Sequence, residues 1–194
     1  MAYDLVVIGA SVGGLQAVGQ LLSALPKGFA LPIAIAQHRS ASPTEGDLPG
    51  MWQRESGLVV REAEDKMAID GGTAYVAPAD YHLMVEMRGQ FSLSTDAPVL
   101  FARPSIDVLF QTASDAYGEG VIGVVLTGAS HDGSEGLRAI RRRGGCALVQ
   151  TPATAECDVM PRAAIQATDV NHVLALAELG RVIGALAGPG VVRR

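Results

Sequence analysis

Short apolar runs alternate with stretches of helical periodicity along most of the chain. Continuous apolar runs are typical of strands that are buried on both faces, as in a parallel sheet. They predict strands over residues 4–8, 32–37, 58–61, 73–76, 82–86, 91–94, 121–126 and 146–150. Apolar residues at helical spacing predict helices over residues 15–25, 48–54, 105–117, 134–143, 161–167 and 174–186.

This alternation of strands and helices indicates the fold class. It is typical of α/β proteins with a mainly parallel sheet. Gly89 separates two of the predicted strands, 82–86 and 91–94, so we expect these two to form a small β-hairpin. No linker divides the chain, and its 194 residues suit a single domain.

A polar, proline-containing segment over residues 40–57 interrupts the pattern. Its irregular composition predicts a surface excursion, with a short helix on which Trp52 could be exposed. At the end of the chain, residues 188–194 are expected to form a frayed tail.

Composition and charge argue against several classes of function. The net charge of −5 provides no field that would attract nucleic acid. No apolar run approaches the roughly 18 residues of a membrane span, and the N-terminus lacks signal-peptide features. We therefore expect a cytoplasmic protein without membrane insertion. Cys146 and Cys157 lack the spacing of metal ligands and are interpreted as ordinary thiols, so no metal or cofactor is expected.

The segment from Val6 to Leu15 joins an apolar run to a glycine-rich turn, Gly9-Ala10-Ser11-Val12-Gly13-Gly14. Three interpretations compete. Glycines between a strand and a helix can hold a phosphate at the helix N-terminus. A Gly-x-Ser-x-Gly turn can instead present a nucleophilic serine. The third interpretation is a plain strand-to-helix turn, with Ser11 near the N-cap of the helix.

The phosphate-binding interpretation is the weakest of the three. Ser11 occupies the place of the middle glycine, which lets a pyrophosphate approach the backbone. The second predicted strand ends in Gln37-His38, where a dinucleotide-binding unit would have an acidic residue.

Three predicted strands end in residues that could act together. Ser11 follows the first strand, His38 follows the second, and Asp132 lies in the loop after strand 121–126. Functional groups gather at the carboxyl ends of the strands in open α/β folds. Serine, histidine and aspartate are the set that activates a hydroxyl at neutral pH. The sequence therefore predicts a serine hydrolase site, although the chain order differs from that of ordinary α/β-hydrolases.

The predicted roles follow from this chemistry. Ser11 Oγ would attack a carbonyl carbon, and His38 would accept its proton and pass it to the leaving group. Asp132 would orient the imidazole and stabilise the imidazolium. The amide of Val12 would donate to the oxyanion, with a second donor from the loop 128–130.

Each of these residues also has a purely structural interpretation. A single histidine at a strand end is more often a hydrogen-bonded structural residue than a base. Asp132 could be the N-cap of a helix that begins at Gly133. His131 is a rival base, although its place in the loop does not favour contact with Ser11.

Several segments stand out together when the chain is taken in order. They are Val7-Ile8-Gly9-Ala10-Ser11-Val12-Gly13-Gly14, Gln37-His38, Tyr75-Val76-Ala77-Pro78, Arg103-Pro104-Ser105-Ile106-Asp107-Val108-Leu109-Phe110, Leu126-Thr127-Gly128-Ala129-Ser130-His131-Asp132-Gly133 and Met160-Pro161-Arg162-Ala163-Ala164. In this order, from Val6 to Leu186, the sequence resembles the catalytic domain of the chemotaxis protein-glutamate methylesterases of the CheB type.

The resemblance implies a three-layer α/β/α domain with a doubly wound sheet and a catalytic triad of Ser11, His38 and Asp132. Members of this family hydrolyse glutamate γ-methyl esters on the cytoplasmic helices of methyl-accepting chemoreceptors, with release of methanol. They often also deamidate receptor glutamines. The resemblance therefore implies a protein substrate and no cofactor.

Three features depart from the family pattern. Val12 replaces the small hydroxyl residue that usually follows the serine. Ala129-Ser130 stand where the aspartate loop usually has Met-Gly, so a methionine that would line the site is expected to be absent. The chain starts at the first strand, without the receiver domain typical of the family. Residues 1–187 are therefore expected to form a catalytic domain alone, either stand-alone or excised.

These departures leave two other functions open. A non-catalytic module of the same fold could dock a receptor or a signalling partner helix. Alternatively, the site could hydrolyse a different ester, such as that of a small metabolite. An activated hydroxyl at Ser11 distinguishes both hydrolases from the binding module.

Overall fold

Strands and helices alternate in the computed structural model, which describes residues 3–39, 47–87 and 89–188. The strands are β1 (Leu5–Ala10), β2 (Ile33–Gln37), β3 (Val59–Glu62), β4 (Thr73–Val76), β5 (His82–Glu86), β6 (Gln90–Ser94), β7 (Val121–Val125), β8 (Cys146–Gln150) and β9 (His172–Leu174). The helices are α1 (Gly14–Ser23), α2 (Leu48–Glu55), α3 (Ile106–Tyr117), α4 (Ser134–Arg142), α5 (Val159–Ala167) and α6 (Leu176–Ala187).

Seven of these strands form one parallel sheet in the order β3-β4-β2-β1-β7-β8-β9. From β1, the chain winds outward first through β2 and later through β7, so the sheet is doubly wound. In such sheets the crevice beside the carboxyl ends of the central strands is the usual place for a functional site. Here those ends belong to β1, β2 and β7.

Helices cover both faces of the sheet, as the α/β prediction requires. Successive side chains of β1 point to opposite faces. Leu5 and Val7 join the core beneath α3, α4 and α5, whereas Val6 and Ile8 join the core beneath α1, α2 and α6. The three-layer α/β/α architecture is therefore confirmed. None of the helices within the described residues is both long and apolar enough to span a bilayer.

The predicted hairpin is also present, as the antiparallel pair β5–β6. It packs on the α3 side of the main sheet, where the rings of Tyr75 and Phe91 meet edge to face with centroids 4.9 Å apart. His82, at the start of β5, lies beside the N-terminus of α3, because its Nδ1 accepts from the amide of Ser105 at 3.2 Å.

The predicted final helix is wrong at its start. Residues His172–Leu174 form the short edge strand β9, paired with β8, and α6 begins only at Leu176. The sequence pattern misses β9 because a strand this short shows no clear alternation and its first two side chains are exposed. The other predicted elements are present with small shifts at their ends. In particular, β1 continues to Ala10, so that Ser11 follows the strand directly.

Trp52 is fully buried, which corrects the expectation of an exposed aromatic on a surface excursion. Leu48 and Trp52 lie one helical turn apart on α2 and pack into the core beneath α1. The indole Nε1 donates to the backbone oxygen of Leu15 at 2.9 Å. The remainder of that predicted excursion, residues 40–46, and the predicted tail from residue 189 onward lie outside the described residues.

The burial of Trp52 predicts a large loss of stability on truncation. Trp52→Ala leaves a cavity beneath α1, and we expect the free energy of unfolding to fall by about 3–5 kcal/mol. Trp52→Phe keeps most of the apolar contact and should cost less. Urea unfolding followed by circular dichroism measures both values. Because Trp52 is the only tryptophan in the sequence, its fluorescence should shift to the red as the native protein unfolds; solvent-exposed emission in the native state would contradict this placement.

Candidate active site

The three predicted site residues lie at the carboxyl ends of adjacent strands. Ser11 follows β1 directly, and its amide donates to the oxygen of Thr127, just beyond β7, at 3.0 Å. On the other side of β1, the amide of His38 donates to the oxygen of Ala10 at 2.9 Å. Parallel pairing with β2 and β7 therefore brings the backbone of Ser11 between His38 and the loop that carries Asp132.

His38 and Asp132 are joined directly. His38 Nε2 lies 2.7 Å from Oδ2 of Asp132, and the side chain of Asp132 is almost fully buried. An ionised carboxylate only accepts hydrogen bonds, so Nε2 carries the proton and Nδ1 is left as the basic nitrogen. Ser11 Oγ makes no hydrogen bond to His38 within the part of the chain that the structure describes. The structure thus joins two of the three predicted residues and leaves the serine hydroxyl unattached beside them.

The N-terminus of α3 surrounds the carboxylate of Asp132. Oδ1 accepts from Ser105 Oγ and from the amide of Asp107, both at 2.9 Å, and Oδ2 accepts from the amide of Ile106 at 2.7 Å. Burial by itself would raise the pKa of Asp132. The hydrogen bonds from His38 and from the amides of Asp107 and Ile106 outweigh burial and hold this pKa below its ordinary value. The carboxylate therefore stays ionised and can stabilise an imidazolium.

The interpretation of Asp132 as a helix N-cap is not supported. The N-cap of α4 is Gly133, and no side chain of that residue or its neighbour fulfils the capping role. Asp107 does so from α3, because its Oδ1 accepts from the amides of Gly133 at 2.9 Å and Gly136 at 2.6 Å. The sequence does not reveal this role, because a carboxylate that caps a different helix leaves no local pattern.

Asp107 is itself buried next to a like charge. Burial is the largest influence and raises its pKa to about 6; the amide of Gly136 opposes this shift, and the charge of Asp132 adds to it. The carboxyl groups of Asp107 and Asp132 therefore lie side by side at the N-terminus of α3, with pKa values shifted in opposite directions. Asp132, whose pKa is lowered, contacts His38.

Two polar side chains fix the orientation of the turn after β1. Gln37 Nε2 donates to the oxygen of Ser11 at 2.8 Å and to that of His38 at 3.0 Å. Thr127 Oγ1 donates to the oxygen of Val12 at 2.9 Å. In a trans peptide the C=O and N–H groups point in opposite directions. Holding these two oxygens therefore aims the amides of Val12 and Gly13 away from Gln37 and Thr127.

These amides are suited to bind an oxyanion. Within the described residues, neither the Val12 nor the Gly13 amide donates to another backbone group, and both stand at the start of α1. A helix N-terminus favours negative charge. Ser11 is not the N-cap of this helix, because Gly13 occupies that position with φ +75°. The turn thus has the donor geometry of a nucleophile elbow rather than that of a serine-capped helix.

The loop after β7 packs closely against the serine. A Cβ atom at Gly128 would stand 1.9 Å from Met160 Sδ and 2.8 Å from Ser11 Cβ, so only glycine fits there. Position 129 is an exposed alanine, as the sequence dictates. A methionine nevertheless stands near the serine, because Met160 of α5 donates its amide to Gly128 O at 2.9 Å and buries its thioether in this place.

The other histidines of the site region have no catalytic partner in the structure. His131 is exposed, and within the described residues no hydrogen bond joins its ring to Ser11 or Asp132. His82 Nε2 lies 3.2 Å from the oxygen of Ala97, while its Nδ1 accepts from Ser105. His82 therefore holds the loop in front of α3. No group of three or more His, Cys, Asp and Glu residues in the described ranges is arranged to hold a metal ion.

The raised pKa of Asp107 predicts how stability depends on pH. The carboxyl group of Asp107 holds its proton more tightly in the folded protein than in the unfolded chain. The stability that protonated Asp107 contributes is therefore full below about pH 4 and is lost as the pH rises through about 6. Asp107→Asn keeps the Oδ1 acceptor without the charge. We expect the difference in free energy of unfolding between the variant and wild type to grow by about 1–2 kcal/mol, in favour of the variant, from about pH 5 to about pH 8. Urea unfolding at the two pH values measures this difference.

A matched control comes from an exposed aspartate. Asp115 lies on the same helix and forms an exposed ion pair with Arg143. Asp115→Asn should change the free energy of unfolding by less than about 0.5 kcal/mol at either pH. If Asp107→Asn changes the free energy of unfolding equally at both pH values, burial does not raise the pKa of Asp107.

Comparison with known proteins shows which family the chain belongs to. The family model of the CheB methylesterases matches residues 6–183. A putative protein-glutamate methylesterase/protein-glutamine glutaminase of Leptospira interrogans is 46% identical over 182 residues, which cover 94% of each chain. The protein-glutamate methylesterase FrzG of Myxococcus xanthus is 40% identical, with 93% of this chain matching 54% of the relative.

A solved structure extends the match to three dimensions. The crystal structure of the Thermotoga maritima CheB methylesterase catalytic domain superposes with a TM-score of 0.90 at 30% identity. The superposition covers 96% of this chain and all of that domain. The residues matched by the family model include Ser11, His38 and Asp132. The chain belongs to the CheB methylesterase family.

Proposed function

We propose that the protein is a serine hydrolase that removes methyl groups from glutamate γ-methyl esters of chemoreceptors. The observation that carries this proposal is the His38–Asp132 pair, which stands beside Ser11 in a chain of the CheB methylesterase family. The relatives from Leptospira and Myxococcus are named for the same activity on protein glutamate.

In the first half of the proposed reaction, Ser11 Oγ attacks the ester carbonyl carbon while His38 Nδ1 takes its proton. The resulting tetrahedral oxyanion accepts hydrogen bonds from the Val12 amide and from a second donor in the loop 128–130. Asp132 stabilises the imidazolium through Nε2. The C–O bond then breaks, and His38 returns its proton to the departing methoxide, which leaves as methanol.

In the second half, water replaces the alcohol. His38 accepts a proton from the water as its oxygen attacks the acyl-serine ester. Collapse of the second tetrahedral intermediate returns the proton to Ser11 Oγ and releases the glutamate carboxylate. A glutamine substrate would follow the same path with ammonia as the leaving group, and the name of the Leptospira relative includes glutaminase activity.

The extent and place of action follow from this proposal. Residues 1–187 would act as one catalytic domain, since the family match already spans residues 6–183. The substrate side chains belong to the cytoplasmic helices of chemoreceptors, so the protein would work in the cytoplasm. No cofactor is needed, because the proposed steps use only protein groups and water.

Removal of the nucleophile tests the proposal. Ser11→Ala should lower methanol release from a methyl-labelled receptor by about 10⁴-fold or more, because the triad acts as a unit. Replacement of His38 by Gln should cost nearly as much. Ser23→Ala is the matched control, because Ser23 is exposed at the far end of α1 and, among the described residues, its hydroxyl bonds to no group but the oxygen of Gln20.

A serine-directed phosphonate separates the alternative functions. Labelling at Ser11 without turnover of the receptor would indicate an esterase for a different ester. Absence of labelling, with retained receptor binding, would indicate a non-catalytic module. Equal methanol release by wild type and Ser11→Ala would refute the assignment of the nucleophile.

The hydrogen bonds of Gln37 predict a positioning role in the same reaction. Gln37→Met preserves the size of the side chain but removes both donors, so the Val12 amide and His38 lose a shared support. We expect kcat to fall by about 10²-fold, as for the loss of an oxyanion donor, with KM changed less than about twofold. The Gln37 Oε1 atom has no partner in the described residues, so its replacement breaks no further hydrogen bond.

Gln37→Glu gives this role a pH signature. Once protonated, the introduced carboxyl regains one O–H donor, so the activity of this variant relative to wild type should rise as the pH falls. Gln53→Glu is the control, because Gln53 uses its side-chain oxygen to accept from the amide of Val60 and retains that ability. If the activity of Gln37→Glu relative to wild type does not change with pH, the role of Gln37 is purely structural.

A further inference from the structure

A tight turn between β6 and α3 exposes two large apolar side chains. Val99 and Ala102 exchange two backbone hydrogen bonds of 3.1 and 2.9 Å, which leaves Leu100 and Phe101 as the central residues of the turn. Leu100 is 51% exposed and Phe101 is fully exposed. Within the described residues, no other large apolar side chain is as accessible as Phe101.

The backbone of this turn does not suit its side chains. Leu100 and Phe101 have φ values of +47° and +64°, as in a type I′ turn. That turn favours Asn-Gly, because a Cβ atom is strained at positive φ. Neither residue regains this cost by packing in the core. Phe101 buries none of its surface and Leu100 only about half, so neither position is explained by core packing. Outliers of this kind concentrate at functional sites.

Hydrogen bonds of Arg103, the second residue after Phe101, hold the turn in place. Next to it, Arg103 Nε donates to Asp80 Oδ1 at 3.0 Å, and Arg103 Nη1 donates to the oxygens of Thr95 and Asp96 at 2.8 and 3.0 Å. Two residues further on, Ser105 Oγ donates to Asp132 Oδ1. The same short segment thus presents Phe101 and fixes the acid of the site.

Arg39, the residue after His38, is linked to the turn through the loop after β4. Its Nη2 donates to the oxygen of Ala77 at 3.2 Å. Ala77 begins the loop after β4, and that loop carries Asp80, the partner of Arg103. His38 and the turn therefore adjoin the same loop after β4, His38 through Arg39 and the turn through Arg103.

We propose that Leu100 and Phe101 dock an apolar stripe on the helical bundle of the chemoreceptor, beside the esterified glutamate. This inference rests on the proposed function and adds the surface that selects a folded protein substrate over a small ester. Amphipathic helices present such stripes at i, i+3 and i+4. A phenylalanine that inserts between two helices buries roughly 150–250 Å². The strain in the turn holds both side chains out from the body of the protein before the substrate arrives.

The test compares a receptor substrate with a small ester, such as p-nitrophenyl acetate. Phe101→Ala should raise KM for the methylated receptor by about tenfold or more, as expected for a central aromatic contact. Its kcat/KM for the small ester should stay within about twofold of wild type, because Ser105 and Asp132 are untouched.

A double variant separates binding from folding. Leu100→Asn/Phe101→Gly gives the turn its favoured residues, so we expect Tm to rise by about 2–4 °C. The same variant should lose affinity for the receptor at least as strongly as Phe101→Ala. A gain in stability together with a loss of receptor turnover is a result that a structural role of the turn cannot produce.

Met87→Ala is the matched control. Met87 is 76% exposed in the turn between β5 and β6, at the end of the hairpin where Gly89 approaches the hydroxyl of Tyr117, the last residue of α3. That end lies opposite the N-terminus of α3 and the site. The KM for the receptor should therefore be unchanged in this variant.

The outcomes distinguish the two proposals. If wild type demethylates the receptor and Phe101→Ala does so with the same KM, the docking inference is wrong and the proposed function stands. A parallel loss on the small ester would also overturn the inference, because the turn would then act by holding Asp132. If wild type cleaves the small ester but no receptor ester, the proposed function fails and the docking inference fails with it.

Discussion

An ionised carboxylate is costly to bury, and Asp132 is buried where β7, α3 and α4 meet. Its charge is tolerated because the first amides of α3, the hydroxyl of Ser105 and the imidazole of His38 all donate to it. Each of these groups has a place in the fold that is set by this contact. The start of α3, the tautomer of His38 and the course of the loop after β7 all depend on the same pair of oxygen atoms.

The turn after β1 shows how a parallel sheet prepares a site before a substrate binds. β1 lies between β2 and β7, so polar side chains at the ends of both neighbours reach the carbonyls of the turn. Gln37 and Thr127 hold the oxygens of Ser11 and Val12, and the amides on the opposite side of those peptides are thereby aimed in advance. Donors fixed in this way need no reorganisation as charge develops. Within the described residues, Ser11 Oγ forms no hydrogen bond to His38, and bonds to a catalytic base commonly tighten only in the complex with substrate.

The sequence was sufficient for features that are local or periodic. Apolar runs identified every strand of the sheet except β9, and the strand-end positions of Ser11, His38 and Asp132 followed from those runs. Trp52 was misjudged because its burial depends on the packing of α2 against α1, whereas α2 itself is a polar segment. Gln37 appeared only as the residue before His38. Its contact with Ser11 depends on the register that sets Ala10 beside Gln37, and a sequence does not specify register. Asp107 was missed for a related reason, since it caps a helix other than its own.

Helices α3 and α4 cap one another. Amides of α3 hold the carboxylate that precedes α4, and Asp107 of α3 holds the first amides of α4. Neither helix can slide or turn by one residue without breaking the bonds that secure the other. An insertion at the start of either helix would therefore displace the carboxylates of both Asp107 and Asp132 from their donors.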